Sequence, residues 1–350
     1  MTKAKRFVRW FAAMSLALLL LIAAAVYIID PLYMYHLPWF GLSMPLFYER
    51  YQNAGLVRQM EFDSILIGSS SVQNFRASWL EKAFHSPTMK LTFSSGYLSQ
   101  YDMALSLIYS RQPLTNVFLC LDMYALSDGS DYAYYPSPPY LYDTDPWNDV
   151  KYLLNRDVLT DVLPQFFWHQ KDNIPFEDAY SYADRAVFGR EAVLQRYPDG
   201  TPSLVGWNAQ LPRDAYVDAC ASALARVTKH IAAHPETTYY IFMPPYSILN
   251  WMNYIECGQV EAIFGAIDKA ANILLAYDNV RLFCYMGLEE IITDLDRYYD
   301  IHHYDRAACE ELVAYMAAGR DEMTKENHAA FVAALEDFVW NYDYEALFDG

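Results

Sequence analysis

Basic residues are scarce in this sequence: 25 Lys and Arg stand against 43 Asp and Glu, a net charge of −18. A surface this acidic repels phosphate backbones, which argues against nucleic acid as a partner. Cysteine is sparse too. The five cysteines (Cys120, Cys220, Cys257, Cys284 and Cys309) are odd in number and lack any CxxC spacing. Neither a disulfide framework nor a zinc site is therefore expected. Cys120 and Cys284 fall inside apolar runs, where cysteine is ordinarily a small buried hydrophobe. No internal repeat or low-complexity tract occurs. What is present is apolar: 54% of the 350 residues are hydrophobic, enough for one large core, with or without an insertion.

The first thirty residues bear on the compartment. Lys3, Lys5, Arg6 and Arg9 precede an uncharged run from Trp10 to Ile29, long enough to cross a bilayer core as a helix. Basic residues on its N-terminal side predict a single-pass topology, with that end cytoplasmic and the remainder outside the cell membrane. A cleaved signal peptide is the alternative, since Ala23-Ala24-Ala25 offers small residues. The run continues past them through Val26, Tyr27, Ile28 and Ile29, which favours an anchor. Asp30-Pro31 ends the helix. The expected division is residues 1–30 as cytoplasmic stub and anchor, and 31–350 as the extracytoplasmic domain. From Asp30 onward the chain then carries 43 acids against 21 bases, a net −22.

Beyond residue 60, short apolar runs alternate with helical patterns. Strands are predicted at 64–67, 90–93, 117–121, 238–243 and 280–284. Helical periodicity occupies 100–109, 216–234, 260–276 and 305–316. Such alternation argues for a mainly parallel five-stranded sheet covered on both faces, a three-layer α/β/α fold. An insertion at about 126–215 separates the third and fourth strands. Tyr132, Tyr134, Tyr135, Tyr140, Tyr142 and Trp147 crowd its start, among Pro136, Pro138 and Pro139. A helix at 157–167 fills part of it, since a loop of that length without structure is unusual. The aromatics either pack on the sheet or the membrane, or form a groove where rings stack on sugars.

In open parallel sheets, ligand groups gather beyond the carboxyl ends of the strands. The first strand delivers Gly68-Ser69-Ser70-Ser71 there, the second Ser95 and Gly96, the third Asp122, and the fourth Tyr246 and Ser247. Asp300-Ile301-His302-His303-Tyr304 follows the fifth. An aspartate three residues before a histidine lets one loop hold both, with the carboxylate fixing the imidazole tautomer. A serine, a base and an orienting acid are the parts of nucleophilic acyl transfer. A glycine before the serines lets the backbone turn and leaves room for a substrate carbonyl. Gly96, lacking a side chain, leaves its N–H open to an oxyanion.

Gly68-Ser69-Ser70 after the first strand, Gly96 after the second and Asp300-x-x-His303 near the C-terminus resemble the SGNH/GDSL hydrolase superfamily. The N-terminal anchor and the Asp-x-x-His-Tyr ending resemble its exported branch, which serves teichoic acid D-alanylation and exopolysaccharide O-acetylation. The resemblance covers about residues 60–310 without the insertion. It implies Ser70 as nucleophile, His303 as base and Asp300 as orienting acid, with the backbone N–H groups of Ser70 and Gly96 as oxyanion hole. One departure stands out. The superfamily's third block, Gly-x-Asn-Asp, supplies an asparagine to that hole, whereas here the strand ends Leu121-Asp122-Met123-Tyr124. Loss of one such donor costs about 10²–10³ in rate.

Each residue has a plainer role to weigh. Serines after a strand often cap turns, so Ser69 and Ser71 compete with Ser70 as the reactive residue. His302 and His303 could bind metal with Asp300 and Asp305, yet no further ligand cluster supports this. Asp122 serves equally as a site-lining acid or an N-cap. Pro244-Pro245-Tyr246-Ser247 terminates a strand, or else Tyr246 and Ser247 join Gly68, Ser69, Ser95 and Asp122 in contacting substrate. The expected function is an anchored extracytoplasmic serine esterase or acyltransferase that needs no cofactor. It acts on acetyl or D-alanyl groups of an acylated carrier, surface glycan or teichoic-type polymer. The alternative is a catalytically weak binding or scaffold protein beside a membrane-bound O-acyltransferase.

Overall fold

A computed structural model describes residues 3–127, 137–172, 174–197 and 210–348. The chain divides into two compact units, one joining residues 1–61 with 137–179, the other joining 62–136 with 180–350. Tyr132, Tyr134, Tyr135 and Pro136 of the aromatic insertion lie outside the described residues.

The first unit begins with the helix Lys3–Ile29. Among the described residues it alone is long and apolar enough to cross a membrane. Only Val26 is buried along its length. The helix stops at Asp30, whose backbone turns left-handed at φ 45°. Its buried carboxylate accepts hydrogen bonds from the N–H groups of Met34 (3.0 Å), Tyr35 (2.6 Å) and His36 (2.9 Å), and from the Tyr152 hydroxyl (2.8 Å). One side chain thus reverses the chain after the helix and ties that corner to the helix Val150–Leu153. Tyr142 is likewise buried, donating to Arg50 O at 2.6 Å, whereas Trp147 is 89% exposed. The expected helix at 157–167 is irregular: Val158–Val162 is wound as a π-helix and passes into the α-helix Leu163–Trp168. Pro164 explains the change, because it has no N–H to continue an i→i−4 ladder.

The second unit is built on a six-stranded sheet flanked by helices. In chain order its strands are β1 (Ser64–Gly68), β2 (Thr88–Thr92), β3 (Asn116–Cys120), β4 (Thr238–Met243), β5 (Val280–Cys284) and β6 (Glu322–Met323), arranged β2-β1-β3-β4-β5-β6. The first five are parallel, and β1 and β3 are buried throughout, as continuous apolar runs require. The sixth strand corrects the expectation of five. It pairs antiparallel with β5 through Leu282 with Met323 and Phe283 with Glu322. Two residues are too short to leave a periodic signal, and the pairing is reinforced by Arg281 Nε donating to Glu322 Oε1 at 2.8 Å. The helices Leu98–Tyr109, Val217–Ala233, Val260–Leu274 and His328–Asn341 pack in succession, while Ala77–Phe84 packs against Arg306–Ala318.

This strand order sets which strand ends are neighbours. The chain leaves β1 toward β2 on one side and continues from β3 toward β5 on the other. The direction of strand addition therefore switches between β1 and β3, the position at whose carboxyl ends open α/β sheets bind ligands.

Asp30→Ala leaves three backbone N–H groups and the Tyr152 hydroxyl without their acceptor. It should destabilise the first unit by about 3 kcal/mol or more, read as a lowered unfolding temperature of the full chain, with Asp30→Asn retaining part of the loss. Unchanged unfolding in Asp30→Ala would contradict this account of the corner.

Candidate active site

β1 ends at Gly68 because little else fits. A Cβ there would lie 2.7 Å from both Cys120 Cβ and Val72 Cγ1. On its Cβ side Gly68 is thus closed off by Cys120 and Val72. Ser69 then caps a short 3₁₀ turn, Ser70–Val72, its Oγ accepting from the Ser71 N–H at 3.1 Å.

The turn distinguishes the three serines. Ser69 and Ser71 are 1% and 3% exposed, while Ser70 is half-buried. Ser69 Oγ donates to Ser71 Oγ (3.2 Å), and Ser71 Oγ donates to Asp122 Oδ1 (2.8 Å) beyond β3. Ser70 Oγ faces the other way and meets His303 Nε2 at 2.8 Å.

On the far side of the imidazole, His303 Nδ1 lies 2.7 Å from Asp300 Oδ2 and 2.9 Å from Oδ1. The backbone N–H groups of His302 and His303 also donate to Asp300 Oδ1, each at 2.9 Å. Burial by itself raises the Asp300 pKa. The hydrogen bond from His303 and the charges of His303 and His302 outweigh it and hold the carboxyl well below the usual range. An ionised Asp300 takes a proton donor, so Nδ1 carries the hydrogen and Nε2 is left as acceptor for the Ser70 hydroxyl.

The loop holding Asp300 and His303 is fixed from several sides. Tyr298 and Tyr304 form an antiparallel bridge across its base, and Tyr299 N–H donates to His303 O at 2.9 Å. Ser247, fully buried, donates to Ile301 O from its N–H (2.9 Å) and its Oγ (3.1 Å). Tyr298 donates to Pro245 O at 2.7 Å, and Tyr304 donates to Ser71 O at 2.9 Å. The Tyr182 ring stands edge-on to His303, with centroids 5.1 Å apart.

Asp122 is 1% exposed and accepts from Tyr246 Oη at 2.5 Å as well as from Ser71. Desolvation pushes its pKa up, opposed by these hydroxyls and by the charge of His303. Tyr246 and Ser247 thus use their hydroxyls inside the protein, one on Asp122 and one on the His303 loop. Ser95 is exposed at φ 52°, and the adjacent Gly96 is buried where a Cβ would come within 2.5 Å of Phe93 O. The Gly96 carbonyl accepts from Tyr124 Oη at 2.8 Å. Among the described residues, no protein acceptor takes the N–H of Ser70 or of Gly96.

Two supports escaped sequence reasoning. Lys90, buried in β2, donates to Gln73 O (2.8 Å) and Phe75 O (2.9 Å), steadying the chain just after the serine turn. A lysine inside a strand with buried neighbours was the available signal. Asn74 is buried, donates to Tyr304 O (3.0 Å) and accepts from Ser181 Oγ (2.8 Å). Nothing local in the sequence marks it. Among the described residues, no group of three or more His, Cys, Asp or Glu side chains is placed to hold a metal, and all five cysteines are free. No family model matches the chain, and a search of curated proteins gives no match.

His302 gives the site an acid sensitivity. Its ring meets Tyr246 edge-on at 4.8 Å, and burial pushes its pKa down to about 4, with Asp300 opposing. Between about pH 6.5 and 4 the unfolded chain binds a proton that the folded chain refuses, so stability falls as pH falls through that window. Asp300 acts lower: its depressed pKa contributes stability above about pH 4, lost on further acidification. His302→Gln should flatten the first decline, worth on the order of 3 kcal/mol, in denaturant unfolding measured from pH 7 to 4.5. An unchanged slope would contradict the assignment.

Proposed function

We propose that this chain is a membrane-anchored, extracytoplasmic serine esterase or acyltransferase of the SGNH/GDSL type. Its substrates are acetyl or D-alanyl groups carried by a surface glycan, a teichoic-type polymer or an acylated carrier. The observation that carries the proposal is the continuous hydrogen-bonded series Ser70 Oγ–His303 Nε2 and His303 Nδ1–Asp300. The orientation rests on the four basic residues ahead of the apolar helix.

In the first step Ser70 Oγ attacks the acyl carbonyl carbon while its proton passes to His303 Nε2. Asp300 stays ionised and stabilises the imidazolium. The oxyanion is received by the N–H groups of Ser70 and Gly96. Collapse expels the leaving alcohol, which takes the proton from His303, and an acyl-Ser70 ester remains. Water (hydrolysis) or an acceptor hydroxyl (transfer) then attacks the ester with His303 as base, restoring the serine.

A second reading is a scaffold of low turnover that holds an acylated polymer beside a membrane-bound O-acyltransferase. Asp122 favours it: a carboxylate stands where the superfamily provides an asparagine donor, and its Oδ1 accepts from Ser71 and Tyr246. The net charge of −18 also disfavours approach of polyanionic polymers.

Labelling by a fluorophosphonate probe separates the readings. The enzyme predicts covalent modification at Ser70, absent in Ser70→Ala and His303→Ala. Hydrolysis of small acyl esters should drop by about 10⁴-fold or more in either variant. Folded wild-type protein that neither labels nor hydrolyses such esters would overturn the enzymatic reading and leave the scaffold.

A further inference from the structure

The large apolar side chains exposed outside the N-terminal helix are distributed unevenly. The larger unit exposes Val187, Trp340 and Phe348 among its described residues, whereas most of the others lie in the smaller unit. Trp39, Phe40, Trp147, Val150, Phe167 and Trp168 are 43–89% exposed. They come from three separate stretches of chain, and hydrogen bonds and ring contacts tie those stretches to the end of the membrane helix.

The Trp39 ring lies 6.4 Å from that of Tyr27, in the last turn of the helix, and stacks on His36 at 3.6 Å. His36 Nε2 is 2.8 Å from Tyr27 O. Tyr35, whose ring is 4.9 Å from Tyr27, donates to Asp149 at 3.0 Å, between Trp147 and Val150 in the chain. Ser43, just past Phe40, hydrogen-bonds Gln170 through both N–H (2.8 Å) and Oγ (3.0 Å), which brings in Phe167 and Trp168. The Lys171 ammonium sits 3.9 Å over the Trp168 ring.

Depth follows from length. The uncharged run Trp10–Ile29 rises about 30 Å as a helix, the thickness of a bilayer's hydrocarbon core. Tyr27 therefore falls at the far hydrocarbon boundary, and rings attached to it lie at the level of the headgroups. Trp and Tyr are the residues that level favours.

We propose that this face is a second membrane contact, an aromatic belt seated in the interfacial zone of the bilayer beside the helix exit. Together with the corner fixed by Asp30, it stops the small unit from swivelling about a single span. The contact is apolar, so zwitterionic lipid suffices and salt does not release it.

The test uses the full chain in phosphatidylcholine nanodiscs, with and without bromine on the upper acyl chain. Trp10→Phe is the background, which removes the tryptophan inside the span. Brominated lipid should quench tryptophan fluorescence in this background. Adding Trp39→Ser, Trp147→Ser and Trp168→Ser should abolish most of that quenching. Trp147→Ser alone, at the most exposed of the three, should remove part of it and guards against misfolding of the combined variant. No quenching in the Trp10→Phe background would overturn the proposal and point to a protein partner for this face. Quenching that survives loss of all three tryptophans would overturn it equally.

Discussion

The hydrogen bond between Ser70 and His303 joins residues 233 positions apart, and the organisation of the larger unit depends on what keeps it closed. The strand order does the coarse work, since β1, β3 and β4 are neighbours and their carboxyl ends open on one edge. Buried polar contacts do the fine work. Tyr304 reaches the backbone of Ser71, Ser247 holds Ile301, Tyr298 holds Pro245 and Asn74 holds Tyr304. Each of these groups would be costly to bury alone. Pairing them across remote segments turns that cost into a requirement for one geometry of the serine turn and histidine loop.

Two carboxylates a few residues from this contact sit in opposite environments. Asp300 is half-buried against an imidazole and two backbone N–H groups, and its charge is favoured. Asp122 is fully enclosed, with hydroxyls as hydrogen-bond donors, and burial works against its charge. Neighbouring acids driven apart in this way can take different tasks. One holds the His303 ring by its Nδ1; the other joins the serine turn to Tyr246 and, through the adjacent Ser247, to the histidine loop.

The smaller unit follows a different logic. Its fixed point is Asp30, where a membrane-length helix ends and a single carboxylate gathers three backbone donors and a tyrosine from beyond residue 150. That arrangement gives the helix exit a defined direction. It also explains why the chain joins residues 1–61 with 137–179 in one unit.

Much of this was legible from residue order, and the limits of legibility are physical. The runs at β4 and β5 mark those strands to the residue, because both are largely buried and apolar, with only Thr238, Tyr240 and Arg281 half-buried. β2 begins two residues before its apolar run, and β6, at two residues, has no period to detect. Asp300-x-x-His303 and Gly68-Ser69-Ser70-Ser71 could be singled out as a set because their chemistry depends on residue type and short spacing. Ser70 is singled out among the three serines by the family resemblance alone, since Ser69, Ser70 and Ser71 are identical as residues and differ only in the direction a 3₁₀ turn gives each hydroxyl. The tie from Tyr246 to Asp122 could not be read, because it joins the ends of strands far apart in the chain. Sequence alone determined the long apolar helix, the alternation of strand and helix, and the inventory of reactive groups, all properties of local pattern. Tertiary structure decided which of those groups touch, because contact between remote segments is set by sheet order and buried hydrogen bonds that no local pattern encodes.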